Sequence, residues 1–66
     1  MIRLTAERKV RGLSTSALAR RAEMHVSSVA QIESGRLRPF PGQVRKLAVA
    51  LEWPVDRADE LFEDVQ

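Results

Sequence analysis

Residues 14–35 read STSALARRAEMHVSSVAQIESG. Leu18 and Ala19 lie one turn before Ala22, so the first half has a narrow apolar stripe with a small centre. Val29 and Ile32, three apart, give the second half its own buried pair. Between them Glu23-Met24-His25 offers one apolar residue flanked by two polar ones. A small residue such as Ala19 lets two helix backbones approach where they cross steeply. The pattern predicts two short helices across a tight turn, a helix-turn-helix arrangement that holds its second helix out in front of the molecule. Such a helix fits a DNA major groove.

The 66-residue length implies one domain over residues 1–66, small enough that folding buries only about 60% of the unfolded surface. Cysteine is absent and there is a single histidine, so the chain offers no disulfide framework and no metal site. No cofactor and no small-molecule ligand are expected of so small a core. No apolar run approaches the roughly 20 residues that span a bilayer. Met1-Ile2-Arg3-Leu4-Thr5 lacks the apolar centre of a signal peptide, so the expectation is a soluble cytoplasmic protein. An enzyme is not expected: Ser14, Ser16, Ser27 and Ser28 have no base partner beyond His25, and no acid orients it.

Net charge is +2, unevenly spread. Residues 1–51 carry ten Lys or Arg and three Glu (net +7), and residues 52–66 one Arg and six acids (net −5). A basic body with an acidic end suggests a face for a polyanion and an end kept away from it. Small soluble domains also carry such imbalances by chance.

Outward from the central stretch, punctuation and spacing predict an all-α, compact five-helix bundle. The first helix runs from about Leu4 to Arg11, with Ala6, Val10 and Leu13 as its apolar line and Gly12 as its stop. Ser14 is placed to cap a second helix from Thr15 to about Ala22. The third covers roughly Val26–Ser34 and stops at Gly35. The connector Arg36-Leu37-Arg38-Pro39 forbids continuation, and Pro41 suits the first turn of a fourth helix. There Val44, Leu47, Ala48 and Leu51 recur at i, i+3, i+4 and i+7, with Arg45 and Lys46 on the opposite face. Trp53-Pro54 breaks the pattern. A fifth helix from about Val55 to Asp64 is expected, with Ala58, Leu61, Phe62 and Val65 apolar.

These residues resemble the phage repressor and Cro-like helix-turn-helix proteins, the XRE family, from Leu4 to about Phe62. The resemblance rests on Arg8, Gly12-Leu13-Ser14, Leu18-Ala19, Met24-His25, Glu33-Ser34-Gly35, Arg36-Leu37-Arg38-Pro39 and Leu47-Ala48-Val49-Ala50-Leu51, in register. Two glutamates depart from it, Glu23 at the turn and Glu52 after the fourth helix, where the family prefers Gly. His25 is also a poorer helix cap than Ser or Asn.

The resemblance implies that Val26, Ser27 and Gln31 face base edges and that His25 lies near the first contacted base. With Val29 and Ile32 buried, helical geometry places 27, 28 and 31 outward and Val26 at the tip. Gln31 suits adenine N6 and N7, and Ser27 suits more than one base. Val26 has two readings, contact with a thymine methyl or packing back on Met24. Base-reading candidates are therefore His25, Val26, Ser27, Ser28 and Gln31. Phosphate candidates are Thr15, which matches a family position touching the backbone, with Arg20, Ser34, Arg36 and Arg38. Arg21 is a further candidate, and a solvated face is the better account of at least one of the two adjacent arginines. The family pairs the positions of Arg8 and Glu33 in a structural salt bridge.

The expected partner is double-stranded DNA, bound as a homodimer, because one recognition helix reads only a few base pairs. By resemblance the fifth-helix region pairs the copies, with Trp53, Pro54, Val55 and Phe62 as candidates; Trp53 equally suits closing the core of a monomer. Two-fold pairing would set recognition helices about 34 Å apart. The leading function is a sequence-specific transcription regulator, a repressor in a prokaryote or phage, acting at the nucleoid. Its rivals are an antitoxin-type regulator that also binds a protein partner, and an interaction module that binds no DNA. Against the antitoxin, Glu63-Asp64-Val65-Gln66 offers little surface.

Overall fold

The computed structural model describes residues 1–65. Four α-helices, α1 (Arg3–Val10), α2 (Thr15–Ala22), α3 (Val26–Ser34) and α4 (Pro41–Ala50), precede a fifth, 3₁₀ helix (Val55–Phe62). Among the described residues no strand forms, and one isolated antiparallel bridge joins Ile2 to Asp64. Among the described residues no helix is long and apolar enough to cross a membrane.

The four α-helices all end the same way. Gly12, Glu23, Gly35 and Glu52 adopt positive φ of 69°, 56°, 83° and 56°. The amide after each reaches back five residues: Leu13 to the Arg8 carbonyl, Met24 to Ala19, Arg36 to Gln31 and Trp53 to Ala48, at 2.8–3.1 Å. This closes the orphan carbonyls of the last turn. It also reverses the chain so that Leu13, Met24, Leu37 and Trp53 fold back onto the core. Helix starts are more varied. The Ser14 hydroxyl accepts the Ala17 amide at 3.0 Å. Before α4 the Phe40 amide donates to the Gln43 side-chain carbonyl at 3.0 Å, and Pro41 fills the first turn. The His25 side chain makes no capping bond to α3.

Leu4, Leu18, Val29, Leu47, Leu51 and Leu61 are the largest fully buried side chains, and Ala19, Ala22, Ala48, Ala50 and Ala58 fill between them. Among the described residues no polar or charged residue is fully buried. α2 packs on α3 and α4, and the fifth helix packs on α4 and α1.

Two expectations are corrected. In α1 the inward residue is Leu4, while Val10 is 79% exposed, Ala6 is partly covered and Leu13 is half-buried. Leu4 and Arg8 share one face because four residues return to about 40° on the helix, and Val10 falls about 200° from Arg8. The fifth helix is not an α-helix reaching Asp64. It consists of 3₁₀ turns on either side of a kink at Arg57, which leaves helical geometry at φ −117°, with Ala58 and Leu61 buried. The Arg57 carbonyl accepts the Trp53 indole N–H at 3.0 Å. Glu63, which follows the helix, is extended. The Arg3 amide donates to the Glu63 carbonyl at 2.8 Å and the Val65 amide to the Met1 carbonyl at 2.9 Å.

One polar contact ties α1 to α3. Arg8 Nε donates to Glu33 Oε2 at 2.8 Å and Nη2 to Oε1 at 3.1 Å, while Nη1 donates to the Leu13 carbonyl at 2.8 Å. The two side chains are 12% and 11% exposed, so this fork is largely shielded from water.

Removing one partner leaves the other charge uncompensated. Arg8→Ala or Glu33→Ala should each lower unfolding free energy by about 3 kcal/mol, whereas Arg8→Met with Glu33→Leu should lose less than either. Urea titrations check this, and a double variant as unstable as the two singles together would contradict it. Glu23→Gly should gain about 1 kcal/mol by relieving the left-handed backbone; a lower midpoint would show that the Glu23 side chain has a compensating role.

Candidate nucleic-acid interface

α3 is held from one side only. Val29 and Ile32 sink into the core and Glu33 is gripped by Arg8. The opposite face is a stripe at i, i+3, i+4 and i+7 of Ser27, Ala30, Gln31 and Ser34, all exposed. All four are small or polar, so no large apolar side chain keeps a partner surface away from the helix backbone. The Ser34 hydroxyl donates to the Gln31 carbonyl at 3.0 Å, leaving its oxygen free to accept and the Gln31 side chain available to a partner. His25 and Val26 stand at the tip, exposed, with Val26 at 47%. That exposure leaves room for packing on Met24 over only part of its surface.

Ser28 is displaced from the outward face. It is half-buried, because it lies about 40° from Ile32 around the helix. Ala30, absent from the base-reading candidates, occupies the outward face instead. The same 100° arithmetic applied to Ala30 finds it; a methyl side chain carries no polar signal to draw attention. Phe40, at the head of α4, is also exposed and carries no signal in the sequence beyond its place before Pro41.

Exposed arginines lie on the connector after this helix and on α2. The αL stop at Gly35 turns the chain sharply after Ser34, and Leu37 folds inward, so Arg36 and Arg38 project to solvent on either side of it. On α2, Arg20 and Arg21 are exposed and Thr15, in the first turn, is half-buried. Among the described residues Arg20, Arg21, Arg36 and Arg38 make no ion pair. Arg8 and Glu33 stand apart from this group, bound to each other behind α3.

The four residues expected to pair copies divide in two. Trp53 and Phe62 are half-buried against the core, and the Arg57 guanidinium lies 5.9 Å from the Trp53 ring centre. Pro54 and Val55 are exposed. Among the described residues no group of His, Cys, Asp or Glu is arranged to hold a metal ion.

An exposed helix with a small, polar outer stripe and free arginines at its margins presents hydrogen-bonding groups to a groove and positive charge to its walls. A family model described as a helix-turn-helix domain matches residues 2–61. No curated protein and no solved structure matches the chain. The match takes in α1 to α4 and reaches Leu61 in the fifth helix, in agreement with the likeness to repressor and Cro-like proteins. The chain belongs to the helix-turn-helix domain family, a family of DNA-binding proteins.

Proposed function

We propose that this chain is a sequence-specific transcription regulator that reads the DNA major groove with α3 and represses by occupying its site. The observation that carries the reading is the outer stripe of α3, Ser27, Ala30, Gln31 and Ser34, on a helix whose other face is fixed by Val29, Ile32 and the Arg8–Glu33 fork. Gln31 offers a donor and an acceptor in one plane, the pair that adenine N6 and N7 require. Ala30 and Val26 supply methyl groups of the kind that meet a thymine methyl, and Ser27 hydrogen-bonds to either a donor or an acceptor. His25, exposed at the N-terminal tip of α3, is assigned by the family resemblance to the first base or its phosphate.

Arg20, Arg36 and Arg38, with Thr15 and Ser34, serve the backbone. Their role is positioning and affinity rather than sequence choice. One such helix covers only a few base pairs, so two copies bind a near-palindromic site. Trp53 and Phe62 lend most of their surface to the core, which leaves Pro54 and Val55 as the apolar contribution of the fifth helix to pairing. The protein acts in the cytoplasm, at the nucleoid.

Selection from a random duplex pool at about 0.15 M salt should enrich a near-palindrome. Gln31→Ala should relax one position in each half-site and lose about 1–3 kcal/mol against the preferred base there. Absence of any enriched sequence, or an unchanged preference in the variant, would contradict base reading by α3. Arg36→Ala with Arg38→Ala should weaken all sequences alike and lower the slope of log affinity against log salt by about 1.8, at roughly 0.9 for each phosphate left without its cation. An unchanged slope would remove the connector from the interface.

A further inference from the structure

Away from the outer stripe of α3, one face of α4 stands open to solvent. Gly42, Arg45, Lys46 and Val49 recur at i, i+3, i+4 and i+7 and are all exposed, Val49 at 62%. With Arg21, Ala22 and Glu23 at the end of α2 they line an open groove of about 370 Å³. No residue of the outer stripe of α3 and neither connector arginine lines it. The helix rises about 10 Å from Gly42 to Val49, so the groove is roughly two turns long.

Gly42 is not explained by its own fold. Its φ is not positive, and a Cβ added there would meet nothing within 4 Å. Glycine nonetheless weakens a helix relative to alanine. The space above Gly42 and the small Ala22 lets another backbone come close, and Val49 offers an apolar contact that the core does not use. The rim is basic. Among the described residues Arg21, Arg45 and Lys46 make no ion pair, and Glu23 is the acid that lines the groove beside them. Arg45 also borders a second groove that holds Asp56 and Asp59. Of the two grooves, Arg21 and Lys46 border only the first, so its positive excess remains.

We propose that this groove between α2 and α4 docks an acidic amphipathic helix of a partner protein. The small floor admits a helix at close range, Val49 receives an apolar side chain, and the three cations flank it to meet carboxylates. A duplex backbone is a poorer match, because it leaves Val49 without an apolar neighbour and sets phosphate beside Glu23. A lipid surface is flat, so it touches the rim and misses the floor. The partner helix presents apolar residues at i, i+3, i+4 and i+7, with Asp or Glu on their flanks. The groove and the outer stripe of α3 share no residue, so partner and DNA are held together. That double occupancy rests on the reading of α3 above, whereas the docking itself does not.

The probe is a capped helical peptide of about 14 residues, roughly four turns, with leucine at i, i+3, i+4 and i+7 and glutamate on both flanks. It is titrated into the isotope-labelled full chain at about 0.05 M salt, without DNA, and followed by NMR. The largest amide changes should fall at Arg21 to Glu23 and from Gly42 to Val49, with Gln31 unmoved. Affinity should drop at least about 10-fold as salt rises to about 0.5 M. R45E/K46E should bind at least about 10-fold more weakly, and V49S at least about 5-fold. The same peptide with lysine for glutamate should not bind. No binding at about 1 mM peptide, equal binding of the lysine peptide, or changes centred on Gln31 would each overturn the proposal. So would native affinity in R45E/K46E with native circular dichroism; if that variant loses its helical signal, V49S and the lysine peptide decide. Two titrations distinguish the other polyanions. A random-sequence duplex that moves Arg45 and Lys46 as strongly as Gln31 would assign the cations to phosphate and overturn the docking. Vesicles of about 30% phosphatidylserine that bind the native chain and not R45E/K46E would overturn it in favour of a membrane surface. With no DNA in the peptide titration, failure of the DNA reading would leave its result standing.

Discussion

The two-point contact between Arg8 and Glu33 fixes where α3 sits. A nine-residue helix with only Val29 and Ile32 in the core can roll about that short apolar line. Glu33 lies one residue beyond Ile32, and its carboxylate is gripped through two nitrogens of a planar guanidinium. That geometry resists rotation better than a single contact does. Arg8 spends its remaining nitrogen on the Leu13 carbonyl, so one side chain joins α1, the α1–α2 turn and α3. The fork adds less net stability than its geometry suggests, because desolvating two charges offsets much of their attraction. Its contribution is orientation, which a helix that reads bases requires and a core helix does not.

The second constraint is the repeated left-handed stop. Each one ends a helix within a residue and sends the next apolar side chain back into the core, so a short chain can pack five helices with very little loop. Two of the four positions are glycine and two are glutamate. At Glu23 the unfavourable backbone sits in the turn between α2 and α3, next to the tip of α3. The αL geometry is therefore set by the packing on both sides of the turn, in which Met24 returns to the core after it. Glu52 performs the same reversal ahead of Trp53, whose ring then closes the end of the core beside the fifth helix.

Where local chemistry decides structure, the chain is readable. The extents of α2 and α3, the Ser14 cap, Pro41 in the first turn of α4 and the positive φ at Gly12 and Gly35 all follow from residue type and spacing. Where a distant partner decides, it is not. Val10 looks like a core residue until Arg8 is known to point inward toward Glu33, which turns Val10 to water. The last helix carries α-like spacing in Ala58, Leu61, Phe62 and Val65. The Trp53 indole N–H takes the Arg57 carbonyl, and residues 63–65 pair with residues 1–3. The second of these contacts joins opposite ends of the sequence and leaves no local signature. On α3, periodicity correctly places Ser27 and Gln31 outward, but Ser28 lies nearer Ile32 than the outer face and Ala30 takes its place.

We propose that the outer face of α3, fixed by the Arg8–Glu33 fork, is the surface that meets DNA. Amide resonances followed by NMR during titration with a short duplex, selected from the random pool or drawn from it unselected, test this residue by residue. The largest changes should fall at His25 to Ser27, Ala30, Gln31 and Ser34 to Arg38, with a smaller set at Thr15 and little movement at Val10. Changes concentrated on α1 or the fifth helix, with α3 unmoved, would contradict it.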